Sequence, residues 1–314
     1  MSNLGESLGR VGVFMGGISE EREISLKSGK AVFEALKLKE CDVHCFDITS
    51  LEFDYIQSII EQNSLDIIFI ALHGTGGEDG HIQKVLTELN VPFTGSDEKA
   101  SFIAYDKIAS KKVFNQFQIL TPEYWEINSK NFTDENLDKI SFPVFLKPPC
   151  QGSSVDVYRC KDKAELKEKL KVLLKNYEVL LVEKEIKGRE ITAGILGAEA
   201  LPVIELRPKQ GFYDFKAKYT QGETEYLVPA PLSPEVSDQV QNVALLVHES
   251  LGLSDFSRVD FILDSDNQAF VLEVNTIPGF TDLSLLPKAA GLVGYDFGSL
   301  CIKILRLVTA VKSS

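Results

Sequence analysis

The chain has 314 residues, a formal net charge of −13 and 44% hydrophobic residues. A chain of this length suits two or three α/β domains rather than a single small core. The acidic charge argues against a nucleic-acid surface, which needs a basic stripe, and no apolar run approaches membrane-spanning length. We therefore expect neither nucleic acid nor a membrane as a partner. Any bound phosphate must be met by locally placed Lys, Arg and backbone N–H groups.

The N-terminal segment and the cysteines indicate the compartment. Residues 1–7 lack a basic region followed by an apolar core, so no signal peptide is predicted. The five cysteines are odd in number and show no Cys-x-x-Cys pairing, which is typical of reduced thiols. The sequence thus predicts a cytoplasmic protein.

The beginning of the chain has the pattern of a doubly wound α/β domain. Residues 10–15 are a strand of the buried type, residues 16–25 a glycine-rich turn, and residues 28–36 a helix. Residues 41–48 and 65–72 have the apolar pattern of further strands. In domains of this kind, ligands bind at the carboxyl ends of the strands.

Two of these strand ends carry polar side chains. Glu20 and Glu21 follow the first strand, and His73 follows the third within His-Gly-Thr-Gly-Gly-Glu-Asp-Gly. Because both strand ends face one crevice, these side chains are candidates for ligand contacts. His73 can equally be a turn histidine bonded only to backbone, and a Gly-x-Gly-Gly pattern alone is a weak signal.

The middle of the chain carries two lysines placed to meet phosphate. A helix is predicted over residues 97–118 and carries Lys107, and the strand 142–147 ends at Lys147 before a Gly-Ser-Ser loop. Such a loop can offer N–H and hydroxyl donors to phosphate oxygens, with the lysine as a point charge. A plain turn is the alternative. No Gly-Lys-Ser/Thr tail opens a helix, so this is not a Walker loop.

The segments that follow form a charged helix, strands and one long loop. Residues 161–176 alternate Lys and Glu, which indicates a helix with a solvated face. The strand 179–186 ends in polar residues that either surround an adenine edge or form an ordinary strand terminus. The strands 190–196 and 201–206 are expected in the same sheet. Residues 207–230 are polar and aromatic, and a loop of that length is typical of a lid.

A polar hairpin follows towards the end of the chain, in which two apolar runs flank an Asp-Ser-Asp-Asn turn. Side-chain alternation puts Arg258 and Asp260 on one face of the first strand, and Glu273 and Asn275 on one face of the second. If the turn is centred near Asp266, Asp260 lies roughly opposite Glu273 and Arg258 roughly opposite Asn275. Opposed acids repel, and a hard cation such as Mg²⁺, which prefers oxygen ligands, removes the repulsion. A solvated polar face is the alternative. The strand runs into the loop Thr-Ile-Pro-Gly-Phe-Thr, and the structure of so apolar a strand does not require such a loop. We therefore favour a metal site over a solvated face.

The motifs gain specificity from their order. The series is Gly-Gly-x-Ser-x-Glu-Arg-Glu, His-Gly-x-Gly-Gly-Glu-Asp-Gly, Asp-Lys, Lys-Pro-x-x-x-Gly-Ser-Ser-Val, Glu-Lys, Lys-Tyr, Arg-x-Asp and Glu-x-Asn-x-x-Pro-Gly. From about residue 11 to 307 this series closely resembles the D-alanine–D-alanine ligase family of the ATP-grasp superfamily. The resemblance implies an α/β protein of the α+β ATP-grasp fold, with an N-terminal doubly wound parallel-sheet domain and two α+β domains that clasp ATP.

The resemblance also implies boundaries, activity and ligands. The implied domains are 1–97 for substrate binding, 98–182 as the central ATP-grasp subdomain, and 183–314 as the catalytic domain with the lid loop 207–230. The implied activity is ATP-dependent joining of two D-alanines through a D-alanyl phosphate, for peptidoglycan precursor synthesis. Two Mg²⁺ ions, replaceable by Mn²⁺, and a homodimer belong to the same expectation.

Matching positions supply the implied residues around the substrates. Glu21 and His73 lie at the first D-alanine, and Glu21 forms a hydrogen-bonded set with Ser153 and Tyr219 that ties down the lid. The groups that stabilise the oxyanion and hold the second substrate's carboxylate are Arg258, the N–H of Gly279, Ser284 and Leu285.

The resemblance also implies which residues contact the nucleotide and its metal ions. The residues at the ATP phosphates are Lys107, Lys147, Ser153, Ser154 and the lid residue Lys218. The residues at adenosine are Glu183, Lys184, Ile186 and Glu190. The metal ligands are Asp260, Glu273 and Asn275.

Two positions depart from the family pattern. Asp156 stands where the family usually has Gly, so its carboxylate is expected to point away from phosphate. Cys150 stands where a larger polar or basic residue is common, which makes it a candidate for oxidation or alkylation.

Three rival functions stay open. A depsipeptide ligase making D-alanyl-D-lactate differs in the lid, where Lys218-Tyr219 matches the dipeptide type. An ATP-grasp ligase for another carboxylate and amine is disfavoured by the matches at Glu21 and Ser284. A non-catalytic nucleotide-binding protein can share the fold, but it would lack a metal ligand or a lid residue, and none is missing.

Overall fold

A computed structural model of the protein describes residues 8–152, 155–209 and 223–311. The described residues form three β-sheets, one parallel and two antiparallel. Among them, no helix has the length and apolar character needed to cross a lipid bilayer.

The first sheet is parallel, with the order β2-β1-β3. Strands β1 and β3 are apolar and buried, whereas the edge strand β2 is largely exposed. Helices connect the strands, which is the pattern of a doubly wound domain. Phe93 adds an isolated parallel bridge to Ile68. The elements are β1 Val11–Gly16, α1 Arg22–Leu38, β2 Val43–Ile48, α2 Phe53–Asn63, β3 Ile67–Ile70 and α3 His81–Glu88.

Helix α1 begins at Arg22, earlier than the sequence predicted. The segment read as the end of a glycine turn is its first turn, with Glu21 at the N-cap position. The turn itself is short because Gly16 and Gly17 both have φ 87°, a region that glycine enters without strain. Ser25 fastens this corner, since its hydroxyl donates to the Ala71 carbonyl at 2.7 Å and accepts from the Gly16 N–H at 2.8 Å.

The second sheet is antiparallel, with the order β4-β7-β5-β6. Its buried face packs against the apolar side of helix α7, so the charged face of that helix is solvated as predicted. This part of the chain comprises α4 Glu98–Tyr105, α5 Lys107–Gln116, β4 Tyr124–Asn128, α6 Asp134–Leu137, β5 Val144–Lys147, β6 Tyr158–Cys160, α7 Lys163–Leu173 and β7 Val179–Lys184.

The single helix predicted over residues 97–118 is wrong, because Asp106 divides it into α4 and α5. Asp106 has extended backbone, with φ −81° and ψ 103°. Its carboxylate accepts from the N–H groups of Ile108 and Ala109, at 2.9 and 3.2 Å. An N-capping aspartate starts a new helix in this way, and the new start places Lys107 in the first turn of α5.

The third sheet is antiparallel, with the order β11-β10-β8-β12-β13, and β9 pairs with β8. Strands β8 and β10 pair with each other as expected, but they do not share a sheet with β7, which corrects the prediction. The elements are β8 Arg189–Leu196, β9 Glu199–Ala200, β10 Ile204–Pro208, β11 Thr224–Leu227, α8 Pro234–Ser250, β12 Phe256–Leu263, β13 Ala269–Asn275, α9 Leu285–Leu292 and α10 Phe297–Val311.

Shared apolar cores join the ends of the chain. Val32 and Leu36 of α1 pack in one cluster with Leu300 and Leu305 of α10. Phe280, which follows β13, lies fully buried in the same cluster. Burial of a large apolar side chain contributes about 1.5–3 kcal/mol each, so this cluster holds the loop after β13 firmly against the first sheet.

Asp255 makes a second junction between the first and third sheets. Its carboxylate accepts from the Gly95 N–H at 2.8 Å, and its carbonyl accepts from the Gly197 N–H at 2.7 Å. The backbone of Asp255 is left-handed, with φ 59°. Burial raises the pKa of this carboxyl from 3.8 to about 6, although the Gly95 N–H opposes the shift.

Replacing Asp255 with Asn should stabilise the protein at neutral pH. A raised folded-state pKa means that the native state binds the proton more tightly, so stability falls as pH rises from about 4 to about 6. Asn keeps the acceptor and tolerates the left-handed backbone. We expect a gain of about 1–3 kcal/mol above pH 7 and little near pH 4, measured by urea unfolding. An equal effect at both pH values would contradict the assignment.

Candidate active site

The polar hairpin forms with the predicted register. Asp260 pairs with Glu273 and Arg258 with Asn275, and the register shifts only after Asp260. Because alternate residues of a strand share a face, the four side chains lie together on one side of the third sheet.

Asp260 is the centre of this group. Arg258 donates to both of its carboxylate oxygens, from Nε at 2.8 Å and from Nη2 at 2.7 Å. Asn275 Nδ2 donates at 3.0 Å and the Thr192 hydroxyl at 2.6 Å. The carboxylate is therefore oriented and charge-compensated, as a preorganised ligand should be.

Thr192 is a residue that sequence reasoning missed. It lies directly opposite Asp260 in the β8–β12 pairing and is only 3% exposed. A hydroxyl in the middle of an otherwise apolar strand was the available signal, because a buried hydroxyl needs a partner.

Lys107 connects the hairpin to the loop after β5. Its Nζ lies 3.3 Å from Glu273 Oε2 and donates to the Gln151 carbonyl at 2.9 Å. Its own N–H donates to the Pro149 carbonyl at 3.2 Å. A lysine from α5, a carboxylate from β13 and the segment after β5 around Pro149 and Gln151 thus meet at one place.

Glu183 and two lysines form a buried cluster beside that place. Glu183 is 3% exposed and pairs with Lys147 through one oxygen and with Lys111 through the other. Burial opposes its charged form, but the two ammonium groups outweigh burial, so the pKa of Glu183 is lowered. The carboxylate is ionised, and the cluster keeps a net positive charge that suits an anionic ligand.

A cavity of about 750 Å³ lies between the second and third sheets. This is a size typical of small-molecule sites. The apolar side chains of Phe145, Ile262 and Leu272 line it, together with the carboxylate residue Glu273. The predicted ATP residues that line it are Lys107, Lys147, Glu183, Lys184, Ile186 and Glu190. Ser153, Ser154, Lys218 and Tyr219 lie outside the described residues.

The cavity also contains an ionic group that was not predicted. Glu205 is 2% exposed and lies between Arg189 and Arg207. Burial alone raises the pKa of this carboxyl, but the hydrogen bonds and charges of the two arginines together lower it by more. The pKa of Glu205 is therefore lowered overall. Because two arginines pair with one carboxylate, this ionic group also carries a net positive charge.

Glu21 lies against the loop that follows Lys147. A Cβ added at Gly152 would come within 2.8 Å of Glu21 Oε1, and one added at Gly74 within 3.3 Å of Oε2. Only glycine permits this close approach at Gly152, because a β-carbon would collide with the carboxylate. The carboxylate therefore lies between two strand-end loops, close to Gly74 on one side and to Gly152 on the other.

His73 bridges the first sheet to the loop after β13. Its Nδ1 lies 3.0 Å from the Ile277 carbonyl, and its Nε2 lies 2.9 Å from the Ser28 hydroxyl, which accepts from the Phe280 N–H at 3.2 Å. The carbonyl requires a proton on Nδ1, so a neutral ring accepts from Ser28 through Nε2. Both ring nitrogens thus have protein partners, and the histidine is more than a turn residue bonded to backbone.

The loop after β13 runs into helix α9. The Ser284 hydroxyl accepts from the Thr281 N–H at 3.0 Å, and the Ser284 N–H donates to the Thr281 carbonyl at 3.0 Å. Ser284 occupies the N-cap position of α9, and Leu285 begins the helix and is buried. A Cβ added at Gly279 would lie 3.5 Å from the Ser284 hydroxyl. Helix N-termini favour bound carboxylates.

The structure accounts for Asp156. Its φ is 54°, which explains why glycine also suits the position. The Tyr177 hydroxyl donates to one carboxylate oxygen at 2.7 Å and the Tyr158 hydroxyl to the other at 3.3 Å. The hydrogen bond between Tyr177 and Asp156, together with burial, raises the pKa of Tyr177 to about 12. The carboxylate is held by two tyrosines rather than exposed to a phosphate.

Cys150 is partly buried, and its surroundings disfavour the thiolate. Burial, together with Asp106, raises the pKa of its thiol to about 11, and the thiolate is the reactive form. Cys45 is exposed, whereas Cys41, Cys160 and Cys301 are buried.

We expect iodoacetamide at pH 7.5 to label Cys45 well before Cys150, with retention of activity. Peptide mass spectrometry over a time course gives the order of labelling. Cys45→Ser is the matched control, in which early labelling should disappear. Faster labelling of Cys150 than of Cys45 would restore the earlier hypothesis of a reactive thiol.

Two antiparallel sheets that enclose a cationic, nucleotide-sized cavity, beside a parallel-sheet domain, define the ATP-grasp class. The model of the D-ala D-ala ligase N-terminus matches residues 51–96, and that of the D-ala D-ala ligase C-terminus matches residues 112–306. The chain belongs to the D-alanine–D-alanine ligase family.

Individual relatives agree with these matches. The chain is 41% identical to a D-alanine–D-alanine ligase of Bordetella avium over 304 residues, 96% of this chain and 95% of the relative. It is 43% identical to that of Aquifex aeolicus over 291 residues, 93% and 98% of the two chains. The Bacillus anthracis D-alanine–D-alanine ligase complexed with ATP superposes with a TM-score of 0.85 at 31% identity, covering 97% of this chain and 99% of that chain.

Proposed function

We propose that the protein joins two D-alanines into D-alanyl-D-alanine, with conversion of ATP to ADP and phosphate, through a D-alanyl phosphate intermediate. The dipeptide serves peptidoglycan precursor synthesis. The observation that carries the proposal is that Lys107, Lys147 and Glu273 line one nucleotide-sized cavity, and that Glu273 lies opposite Asp260 in the hairpin. Glu21 lies against the same Gly152 loop.

Phosphoryl transfer comes first. A carboxylate oxygen of the first D-alanine attacks the γ-phosphorus, the bond to the ADP oxygen breaks, and D-alanyl phosphate forms. Lys107 and Lys147 neutralise phosphate charge, and Lys184, Ile186 and Glu190 hold adenosine with Glu183. Catalysis of this step consists mainly of positioning and electrostatic stabilisation.

The residues present fit Mg²⁺. Within residues 8–152, 155–209 and 223–311, no group of three or more His, Cys, Asp or Glu is arranged to hold a metal by itself. Mg²⁺ typically binds through one or two carboxylates and the substrate's phosphates, so Asp260 and Glu273 with the Asn275 amide are a sufficient protein share. Two bound Mg²⁺ ions, or Mn²⁺, would supply charge neutralisation at the β- and γ-phosphates.

Peptide-bond formation follows. Glu21 holds the first substrate's ammonium, and His73 keeps the loop after β13 in place. The second D-alanine's amine attacks the acyl carbon, and Arg258 with the Gly279 N–H stabilises the oxyanion. Phosphate then leaves. The second substrate's carboxylate is held by Ser284 and Leu285 at the start of α9.

The lid and the assembly complete the proposal. Ser153 and Ser154 contact the phosphates, Lys218 joins them from the lid loop 207–230, and Tyr219 closes the set with Glu21 and Ser153. A closed lid excludes water, which would hydrolyse the acyl phosphate. The proposed domains are 1–97, 98–182 and 183–314, and the proposed form is a cytoplasmic homodimer.

The proposal is tested by incubating the purified protein with ATP, Mg²⁺ and D-alanine, and measuring phosphate and dipeptide together. L-Alanine alone, and D-alanine with D-lactate or D-serine, are parallel reactions. We expect equal amounts of phosphate and D-alanyl-D-alanine, and no product from L-alanine. A depsipeptide or D-alanyl-D-serine as the main product would move the assignment to another branch. Nucleotide binding without turnover on any substrate would overturn it.

A further inference from the structure

Lys111 is a buried cation that the proposed reaction does not use. It lies on α5 one turn after Lys107, and it is 0% exposed. It does not line the nucleotide cavity. A lysine is almost never fully buried unless it is paired, so a specific interaction has to compensate for the lost hydration.

The partners of Lys111 are polar groups on three sides. Its Nζ pairs with Glu183 Oε1 and donates to the Thr121 hydroxyl, and the Pro122 carbonyl lies 3.5 Å away. The ring of Tyr124 lies 5.2 Å from Nζ, within reach of a cation–π interaction. Burial lowers the pKa of Lys111, and Glu183 opposes that shift.

Thr121 ties this group to the strand that carries Glu273. The Thr121 hydroxyl donates to the Val271 carbonyl at 2.8 Å, and the Val271 N–H donates to the Leu120 carbonyl at 2.8 Å. The ammonium of Lys111 is therefore fixed relative to both sheets that enclose the cavity.

The electrostatic consequence concerns Lys147. Glu183 pairs through one oxygen with Lys147, which lines the cavity, and through the other with Lys111, which does not line it. With both lysines present, the cluster carries a net charge of about +1, and part of the Lys147 charge is available to an anion. Without Lys111, a buried carboxylate would have Lys147 as its one remaining ionic partner in this cluster, and such a neutral pair offers little to a phosphate.

We propose that Lys111 is a positioning residue for ATP: it neutralises Glu183 from the side away from the nucleotide and so leaves Lys147 charged towards the phosphates. Because the phosphate contact of Lys147 belongs to the proposed function, this proposal rests on that function. Binding measurements, which need no turnover, separate the two.

The test compares a phosphate-bearing nucleotide with one that lacks phosphate. Equilibrium binding of AMP-PNP with Mg²⁺ and of adenosine is measured by calorimetry for the wild type and for Lys111→Met. Losing the Lys147 contact should weaken AMP-PNP binding about 10- to 100-fold, while adenosine binding changes less than about threefold. A purely structural role of Lys111 would weaken both ligands alike.

A matched control tests whether the effect belongs to the buried charge. Lys112→Met removes the neighbouring lysine, which is exposed and pairs with Glu126. This variant should bind AMP-PNP within about twofold of the wild type, because exposed ion pairs contribute little. If Lys111→Met does not fold, the same two measurements are made with Lys111→Gln, which keeps a hydrogen-bond donor but removes the charge.

The outcomes are distinct. Selective loss of AMP-PNP binding in the Lys111 variant supports the proposal. Unchanged AMP-PNP binding, or equal loss of both ligands, overturns it. A wild-type protein that binds AMP-PNP but makes no dipeptide would contradict the proposed function and leave the role of Lys111 in nucleotide binding intact.

Discussion

Arg258→Ala is expected to lower the turnover number by about 10²- to 10³-fold, because one preorganised donor to an oxyanion is typically responsible for that much. ATP binding should persist, since Arg258 does not line the nucleotide cavity. Steady-state rates against ATP and D-alanine, with AMP-PNP calorimetry, measure both quantities. In the structure, Nε and Nη2 of Arg258 donate to Asp260, so the variant also removes two hydrogen bonds from that carboxylate and leaves those from Asn275 and Thr192.

A control and a conservative variant separate these effects. Arg10→Ala breaks an exposed ion pair with Asp42 and should leave turnover unchanged, as surface pairs contribute little. Arg258→Lys keeps a positive charge but loses the two-pronged geometry, so it should recover only part of the rate. Turnover of Arg258→Ala near that of the wild type would remove Arg258 from the chemistry.

Asp260→Asn is expected to raise the Mg²⁺ concentration for half-maximal turnover by about 10- to 100-fold, the range seen when groups supporting a metal are lost. The change keeps the shape of the side chain. The amide oxygen can still accept from the Thr192 hydroxyl and from Arg258 Nε, whereas the bonds from Arg258 Nη2 and Asn275 Nδ2 lose their acceptor. Rates measured over a Mg²⁺ titration at saturating ATP give the value directly. Turnover at ordinary Mg²⁺ should fall at least about 10²-fold.

The same hairpin offers a matched control for Asp260→Asn. Asp266 lies in its turn and is exposed, so Asp266→Asn removes an equal charge on the same element and should leave the Mg²⁺ titration unchanged. An Asp260→Asn protein with the wild-type Mg²⁺ requirement would show that the carboxylate is not a metal ligand.

The hairpin could be predicted because its determinants are local. Side-chain alternation and one turn fix which residues oppose each other, so the pairing of Asp260 with Glu273 follows from the sequence. The family could be identified from the order of short motifs for a related reason. The functional residues of each motif lie within a few positions of one another, so the motif can be recognised in the sequence alone. Of the predicted ATP residues that line the cavity, Lys107, Lys147, Glu183 and Lys184 belong to such motifs.

Other features depend on partners far away in the sequence. The burial of Lys111 requires Glu183 from another element, and the ring of His73 meets a carbonyl 204 positions later. The role of Thr192 could not be predicted because its partner Asp260 lies on the neighbouring strand, which is distant in the sequence. The break at Asp106 was missed although it is local, because an N-cap in the middle of a helical pattern looks like an ordinary polar helix residue.

The most direct test of the account uses D-alanine whose carboxylate oxygens are labelled with heavy oxygen. If the carboxylate attacks the γ-phosphorus, one labelled oxygen leaves with each phosphate released, and mass spectrometry should find one label in phosphate for each D-alanyl-D-alanine formed. Unlabelled phosphate accompanied by dipeptide would contradict the D-alanyl phosphate intermediate. Phosphate release without any dipeptide would contradict the ligase assignment itself.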